Sequence, residues 1–186
     1  MLIMWLLITL AVIGLSIFVT LWAYLSTPWG APWVPTAPGT VRKMLQMAEV
    51  KPGQKVVDLG AGDGRIVIMA AREFKARAAG VEIDPLRCLL ANILISGLGL
   101  RGRARVYYGN MHQFDVADAD VVTLYLLHPT NQALKERLSR QLRPGAKVVS
   151  HSFMMTGWAP SALDDTRNIF MYEMGRTSDE AQTRFV

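Results

Sequence analysis

The sequence predicts an α/β fold: a doubly wound, mostly parallel sheet preceded by one apolar N-terminal helix. Three observations predict it. Strand-like and helix-like runs alternate four times from position 40 onward, a glycine-rich turn directly follows the first strand, and nothing before Arg42 is charged.

Residues 1–25, MLIMWLLITLAVIGLSIFVTLWAYL, are long enough at ~1.5 Å per helical residue to exceed the ~30 Å hydrocarbon core of a bilayer. The run starts apolar at residue 2 and continues to Trp22 and Tyr24, unlike a cleaved signal with its basic start and small-residue end. Trp5 at one end and Trp22, Tyr24, Trp29 and Trp33 near the other fit two interfacial belts. Arg42, Lys43, Lys51 and Lys55 follow the run and no cation precedes it. The expectation is therefore a single-pass membrane protein, anchored in the lipid bilayer by a transmembrane helix within 1–26, with its folded domain on the cytoplasmic side. TPWGAPWVPTAPG (27–39) holds four of the nine prolines and is expected to be a stiff, extended linker, either a passive spacer, which its composition favours, or a lip that folds over a cofactor site. The domain then occupies 40–186.

Val41, Met44, Leu45 and Ala48 stand at helical spacing until KPG at 51–53 stops them. KVVDLG (55–60) reads as a buried strand running into glycines. A helix over 65–74, a strand ARAAGVEI (76–83), a helix from Pro85 to about Ile95 and a strand ARVYYG (104–109) come next. DADVVTLYLL (118–127) is a further strand, NQALKERLSRQL (131–142) an amphipathic helix, and AKVVSHSF (146–153) a strand after the turn RPG. NIFMYEM (168–174) is expected as a late edge strand, and 177–186 carry no signal.

All 35 charged residues fall after position 41, in a stretch long enough for one hydrophobic core. The single Cys88 excludes an internal disulfide, and no Cys/His cluster has metal-ligand spacing, so no metal is expected. The net charge of +5 and RGRAR at 101–105 raise the question of nucleic acid, but that segment lacks interleaved aromatics for base stacking. No nucleic-acid partner is expected. Contact with anionic headgroups suits those arginines better than nucleic acid does, and a plain solvated surface suits them better than either.

The most informative segment is VVDLGAGDGRI (56–66). A dinucleotide fingerprint G-x-G-x-x-G fails because its sixth position is Arg65, and a P-loop fails for want of Gly-Lys-Ser/Thr. Asp58, at the end of the first strand, would repel a pyrophosphate and attract an ammonium group. S-adenosylmethionine carries that ammonium. Glu82 ends the second strand, where its two oxygens can accept from both ribose hydroxyls. Asp63 and Asp84 read as helix caps, Asp84 with Pro85 behind it.

D-x-G-x-G-x-G with an acidic residue ending the second strand resembles the class I methyltransferase superfamily, which implies a Rossmann-like, seven-strand fold. PWVPT, KML, DLGAGDGRI, GVEIDPLRC, GN, DADVVTLYLL, LRPGAKVVSH and GW together resemble the membrane-anchored protein-lysine methyltransferases of the ATP synthase c-subunit and adenine nucleotide translocase type and their prokaryotic relatives. That resemblance implies that Asp58, Gly60, Gly62 and Glu82 hold the cofactor, with Ala61, Gly64 and Ile83 beside them and Asn110 near the adenine. Two departures fall at strand ends, where they touch on the substrate: His128-Pro129 after TLYLL, and Ser152 where an Asp is usual.

Methyl transfer from a sulfonium is an in-line displacement, so positioning and exclusion of water do most of the work. A lysine acceptor must lose its proton, which burial assists. Tyr125 and His128 are the expected catalytic residues, orienting or deprotonating the acceptor, with His151 a further possibility and His112 structural. The expected function is a tethered S-adenosylmethionine-dependent methyltransferase acting on a lysine of a membrane protein. The alternatives are a methyltransferase of a membrane-embedded quinone or lipid, and a non-catalytic cofactor-binding module.

Overall fold

The computed structural model describes residues 1–25 and 33–175. The chain divides into two compact units, Met1–Val34 and Pro35–Val186. The first holds one helix, α1 (Leu2–Leu25), whose described side chains are exposed. The expected membrane span is corrected here: among the described residues no helix is long and apolar enough to cross a bilayer. The transmembrane part of the fold class, the single-pass topology and the cytoplasmic placement all depended on that span and fall with it. The linker positions 27–32, with Trp29, and the tail from 177 lie outside the described residues, as do the side chains of Trp22 and Tyr24.

The second unit is a seven-stranded sheet flanked by helices. Its elements are α2 (Pro38–Met47), β1 (Lys55–Leu59), α3 (Arg65–Arg72), β2 (Arg77–Glu82), α4 (Pro85–Gly97), β3 (Ala104–Tyr108), β4 (Val121–Leu124), α5 (His128–Gln141), β5 (Lys147–His151), β6 (Ala162–Asp164) and β7 (Ile169–Glu173). The strand order is β3-β2-β1-β4-β5-β7-β6. The first five strands are parallel, and β7 runs antiparallel to both β5 and β6. The chain leaves β1 toward β2 and β3, then returns to lay β4 on the other side of β1. That reversal opens a crevice beyond the carboxyl ends of β1 and β4, where such sheets bind ligands.

Local chemistry explains the central elements. Val56, Val57, Val121, Val122, Val148 and Val149 are all but fully buried, as β-branched residues are in parallel strands covered on both faces. α2 starts at Pro38, buries Val41, Met44 and Leu45, and ends where Glu49 takes a positive φ. α4 starts on Asp84, whose Oδ1 accepts from the Leu86 and Arg87 N–H groups at 2.9 and 3.0 Å, so this Asp is the cap the sequence predicts. Asp63 differs in part: Gly64 holds the cap position of α3, while Asp63 Oδ1 accepts from the Arg65 N–H at 3.3 Å and the carboxylate pairs with the Arg65 guanidinium. NIFMYEM does form a strand, but β7 lies inside the sheet because the three-residue β6 pairs with its outer edge.

β2 and the glycine turn approach closely at Gly80. A Cβ there would lie 2.6 Å from the Ala61 Cβ and 2.9 Å from Val67 Cγ2. Gly80→Ala is therefore expected to cost about 1–3 kcal/mol, as overpacking does, measured by urea unfolding.

Candidate active site

The crevice is floored by two buried carboxylates. Asp58, the penultimate residue of β1, is 2% exposed and lies beside its β4 partner Thr123, whose Oγ1 donates to Asp58 Oδ1 at 2.7 Å. Thr123 is a buried hydroxyl in an otherwise apolar strand, and Asp58 is what satisfies it. Burial pushes the Asp58 carboxyl up to about 7; the Thr123 hydrogen bond opposes that shift, and nearby Glu82 and Asp63 add to it. Glu82 is 5% exposed. Its Oε2 accepts from the Gly62 N–H at 2.7 Å and its Oε1 from the Asp84 N–H at 2.9 Å. Arg87 approaches from α4, 4.0 Å from Glu82 and 3.8 Å from Asp84.

The glycine turn hangs between these acids. The Gly60 and Ala61 N–H groups donate to the Val81 carbonyl at 3.0 and 2.9 Å, which docks the turn on the end of β2. Gly60, Gly62 and Gly64 all have positive φ. At Gly60 the need for glycine is double, because φ is 89° and a Cβ would meet Leu126 Cδ2 at 2.8 Å. Ala61 is buried and Ile83 half-buried. Thus Asp58, Gly60, Ala61, Gly62, Gly64, Glu82 and Ile83 come together at one edge of the crevice. Asn110 joins them through Gly109, whose N–H donates to the Glu82 carbonyl at 3.0 Å. Its own side chain is exposed and accepts from the His112 N–H at 2.9 Å.

One contact was illegible beforehand. The Arg65 guanidinium, held by Asp63, also donates to the Thr36 carbonyl at 2.6 Å. The PT of PWVPT is thereby tied to the glycine turn rather than serving only as a spacer.

The two residues expected to be catalytic lie where β4 passes into α5. Tyr125 follows β4, one residue beyond the Leu59–Leu124 register pair, and is half-buried at the crevice. His128 is the exposed first residue of α5, just past the end of β4, with Pro129 behind it in the first turn of that helix. His151, at the end of β5, takes the place beside Tyr125. Their ring centroids lie 4.2 Å apart with the planes tilted by 44°. Burial lowers the His151 pKa, and the Arg167 main chain pulls weakly the other way, so the imidazole is neutral at pH 7. Asn131 pins α5 behind this pair by donating to Ser150 Oγ at 3.0 Å and to the Phe153 carbonyl at 3.1 Å. Ser152 turns the chain out of β5 at φ 69°.

The donor set suits a cationic nucleoside. A carboxylate pair repels phosphate, Glu82 retains lone pairs for vicinal hydroxyls, and Asp58 gains a counter-ion from an ammonium.

Comparison with known proteins agrees with that chemistry. Residues 58–162 match the family model described as the ANTKMT methyltransferase domain. A protein-lysine N-methyltransferase of Saccharolobus islandicus (strain REY15A) is 42% identical over 151 residues, covering 77% of this chain and 94% of the relative. The adenine nucleotide translocase lysine N-methyltransferase of Mus musculus is 29% identical over 171 residues, covering 87% of this chain and 74% of the relative. A solved RNA methyltransferase from Salinibacter ruber, in complex with S-adenosyl-L-homocysteine, superposes with a TM-score of 0.73 at 41% identity, covering 79% of this chain and 95% of that one.

Proposed function

Because this chain belongs to the ANTKMT methyltransferase-domain family and is an S-adenosylmethionine-dependent methyltransferase, we propose that it methylates a lysine side chain of a membrane protein. The observation that carries the lysine reading is its 42% identity to a protein-lysine enzyme across 94% of that enzyme's length. The name of the mouse relative, which specifies a lysine of adenine nucleotide translocase, supports a membrane-protein acceptor.

When bound, the cofactor supplies an electrophilic methyl group on sulfur. Glu82 would accept from the ribose hydroxyls, Asp58 would face the ammonium, and the Gly60–Gly64 turn would let the backbone approach the nucleoside. Ala61 and Ile83 wall that cleft, and Asn110 stands at the adenine end. The neutral His151 imidazole, oriented by its stacking on Tyr125, takes the proton that the lysine must shed before its nitrogen attacks. Proximity supplies the rest.

The test is transfer of labelled methyl from S-adenosylmethionine into a membrane fraction, followed by mass spectrometry for added methyls on lysine. Label in lysine supports the reading; label in RNA, or in the lipid extract with quinones, overturns it. In the same assay His151→Phe is expected to lower kcat on the order of 100-fold with cofactor affinity unchanged. His128→Ala is expected to change kcat less than about threefold, since a solvated first-turn residue of α5 supplies no proton path.

A further inference from the structure

The outward face of α4 is built unlike a water-facing helix. Every exposed residue of Pro85–Gly97 is Pro, Leu, Ile or Gly, and none is charged. Leu89, Leu90, Ile93 and Leu94 leave between 49% and 58% of their surface open. A solvated helix face carries polar side chains, and a contiguous apolar stripe of this kind marks a contact surface.

A cationic rim adjoins it. Arg101, Arg103 and Arg105 follow α4 in the loop and first residues leading into β3, and all three are exposed. Among the described residues none of them is ion-paired. Arg101 Nε donates to Ser96 Oγ on α4 at 2.6 Å, which holds the guanidinium against the helix, and Arg105 lies 5.0 Å from the Tyr107 ring centroid. Arg101, Arg105, Tyr107 and Tyr108 line an open cleft of about 600 Å³ between α4 and β3.

We propose that this apolar face and its arginine rim are the surface by which the folded unit rests on an anionic phospholipid bilayer. The leucines enter the boundary between acyl chains and headgroups, the guanidinium groups meet lipid phosphates, and the exposed tyrosines sit at interfacial depth. Such contact lies on a membrane and needs no segment to cross it. It is independent of which acceptor the enzyme methylates.

Charge and hydrogen bonding select this occupant. A second copy of the chain would bring like-charged arginines together. It could not extend the sheet through the middle of β3 either, because Asn92 already takes both outward main-chain groups of Val106, accepting from its N–H at 3.1 Å and donating to its carbonyl at 2.7 Å. RNA would use the arginines and leave the leucines in water.

The test uses the full chain with Cys88→Ser and Leu90→Cys, the new thiol carrying an environment-sensitive fluorophore, and a control carrying it through Leu163→Cys on the distant β6. Vesicles of phosphatidylcholine with 30% phosphatidylglycerol are expected to blue-shift the label at 90, and bilayer-borne quenchers to reach it, while the label at 163 stays unchanged. Pure phosphatidylcholine vesicles should need at least tenfold more lipid. Arg101→Ala/Arg103→Ala/Arg105→Ala should need on the order of 100-fold more anionic lipid, at about tenfold or less per cation. Calorimetry with S-adenosylhomocysteine checks that this variant is folded; should it fail, loss of the shift in 0.5 M salt takes its place as the readout. No shift at 90, an equal shift at 163, a shift insensitive to salt and lipid charge, a lipid-independent shift that grows with protein concentration, or a shift produced by RNA and not vesicles overturns the proposal.

Discussion

Asp58→Asn is expected to stabilise the folded unit at pH 8 and, in the same stroke, to remove most of its affinity for S-adenosylmethionine. Burial raises the carboxyl from 3.8 to about 7. Between those values the unfolded chain has already released the proton that the folded chain retains, so stability falls as pH rises through that window and levels off above about 7. The full difference is on the order of 4 kcal/mol, and an amide of the same shape that still accepts from Thr123 recovers part of it. Urea unfolding should show the variant and the parent alike near pH 4 and the variant ahead by a few kcal/mol at pH 8. Cofactor binding runs opposite. The ammonium favours the ionised carboxylate, so the parent's affinity should climb from pH 6 to 8 while the variant's stays low and flat. A parent whose affinity is level across that range would remove Asp58 from the ammonium site.

Much of the fold was legible because its signals are local. Val56-Val57 followed by glycines marks a central strand and its turn, and Asp84-Pro85 marks a helix start through capping chemistry confined to four residues. The Glu82 end of β2 was legible for the same reason. His128 opens α5 directly after β4, and Pro129 behind it is the local first-turn signal for that helix. The contact of His151 with Tyr125 depends on the register of β4 against β5, which neither segment encodes alone. The same holds for the Arg65 bond to Thr36, the cover of β3 by Asn92, and the raised pKa of Asp58, which arises from burial beneath elements distant in sequence. β6 has three residues, too few for alternation to register. The apolar start was legible as composition, but composition does not establish a span.

Glu82→Gln should weaken binding of S-adenosylhomocysteine on the order of 100-fold and lower the melting temperature by several degrees. Both oxygens of Glu82 accept main-chain N–H groups, from Gly62 and from Asp84. The amide turns one acceptor into a donor facing another donor, and loss of a charge-assisted bond at a buried group costs about 1.5–3 kcal/mol. Arg87 meanwhile loses the Glu82 charge 4.0 Å away and retains Asp84 at 3.8 Å. The glycine turn keeps its bonds to the Val81 carbonyl but loses its tie through Gly62 at the point where the ribose hydroxyls would be received, so binding suffers twice, through the missing acceptor and through the loosened turn. The two acids therefore differ in sign: neutralising Asp58 should raise stability and neutralising Glu82 should lower it, while both depress cofactor affinity. If calorimetry finds unchanged affinity in Glu82→Gln alongside the lowered melting temperature, Glu82 is a brace for the turn and the ribose is held elsewhere.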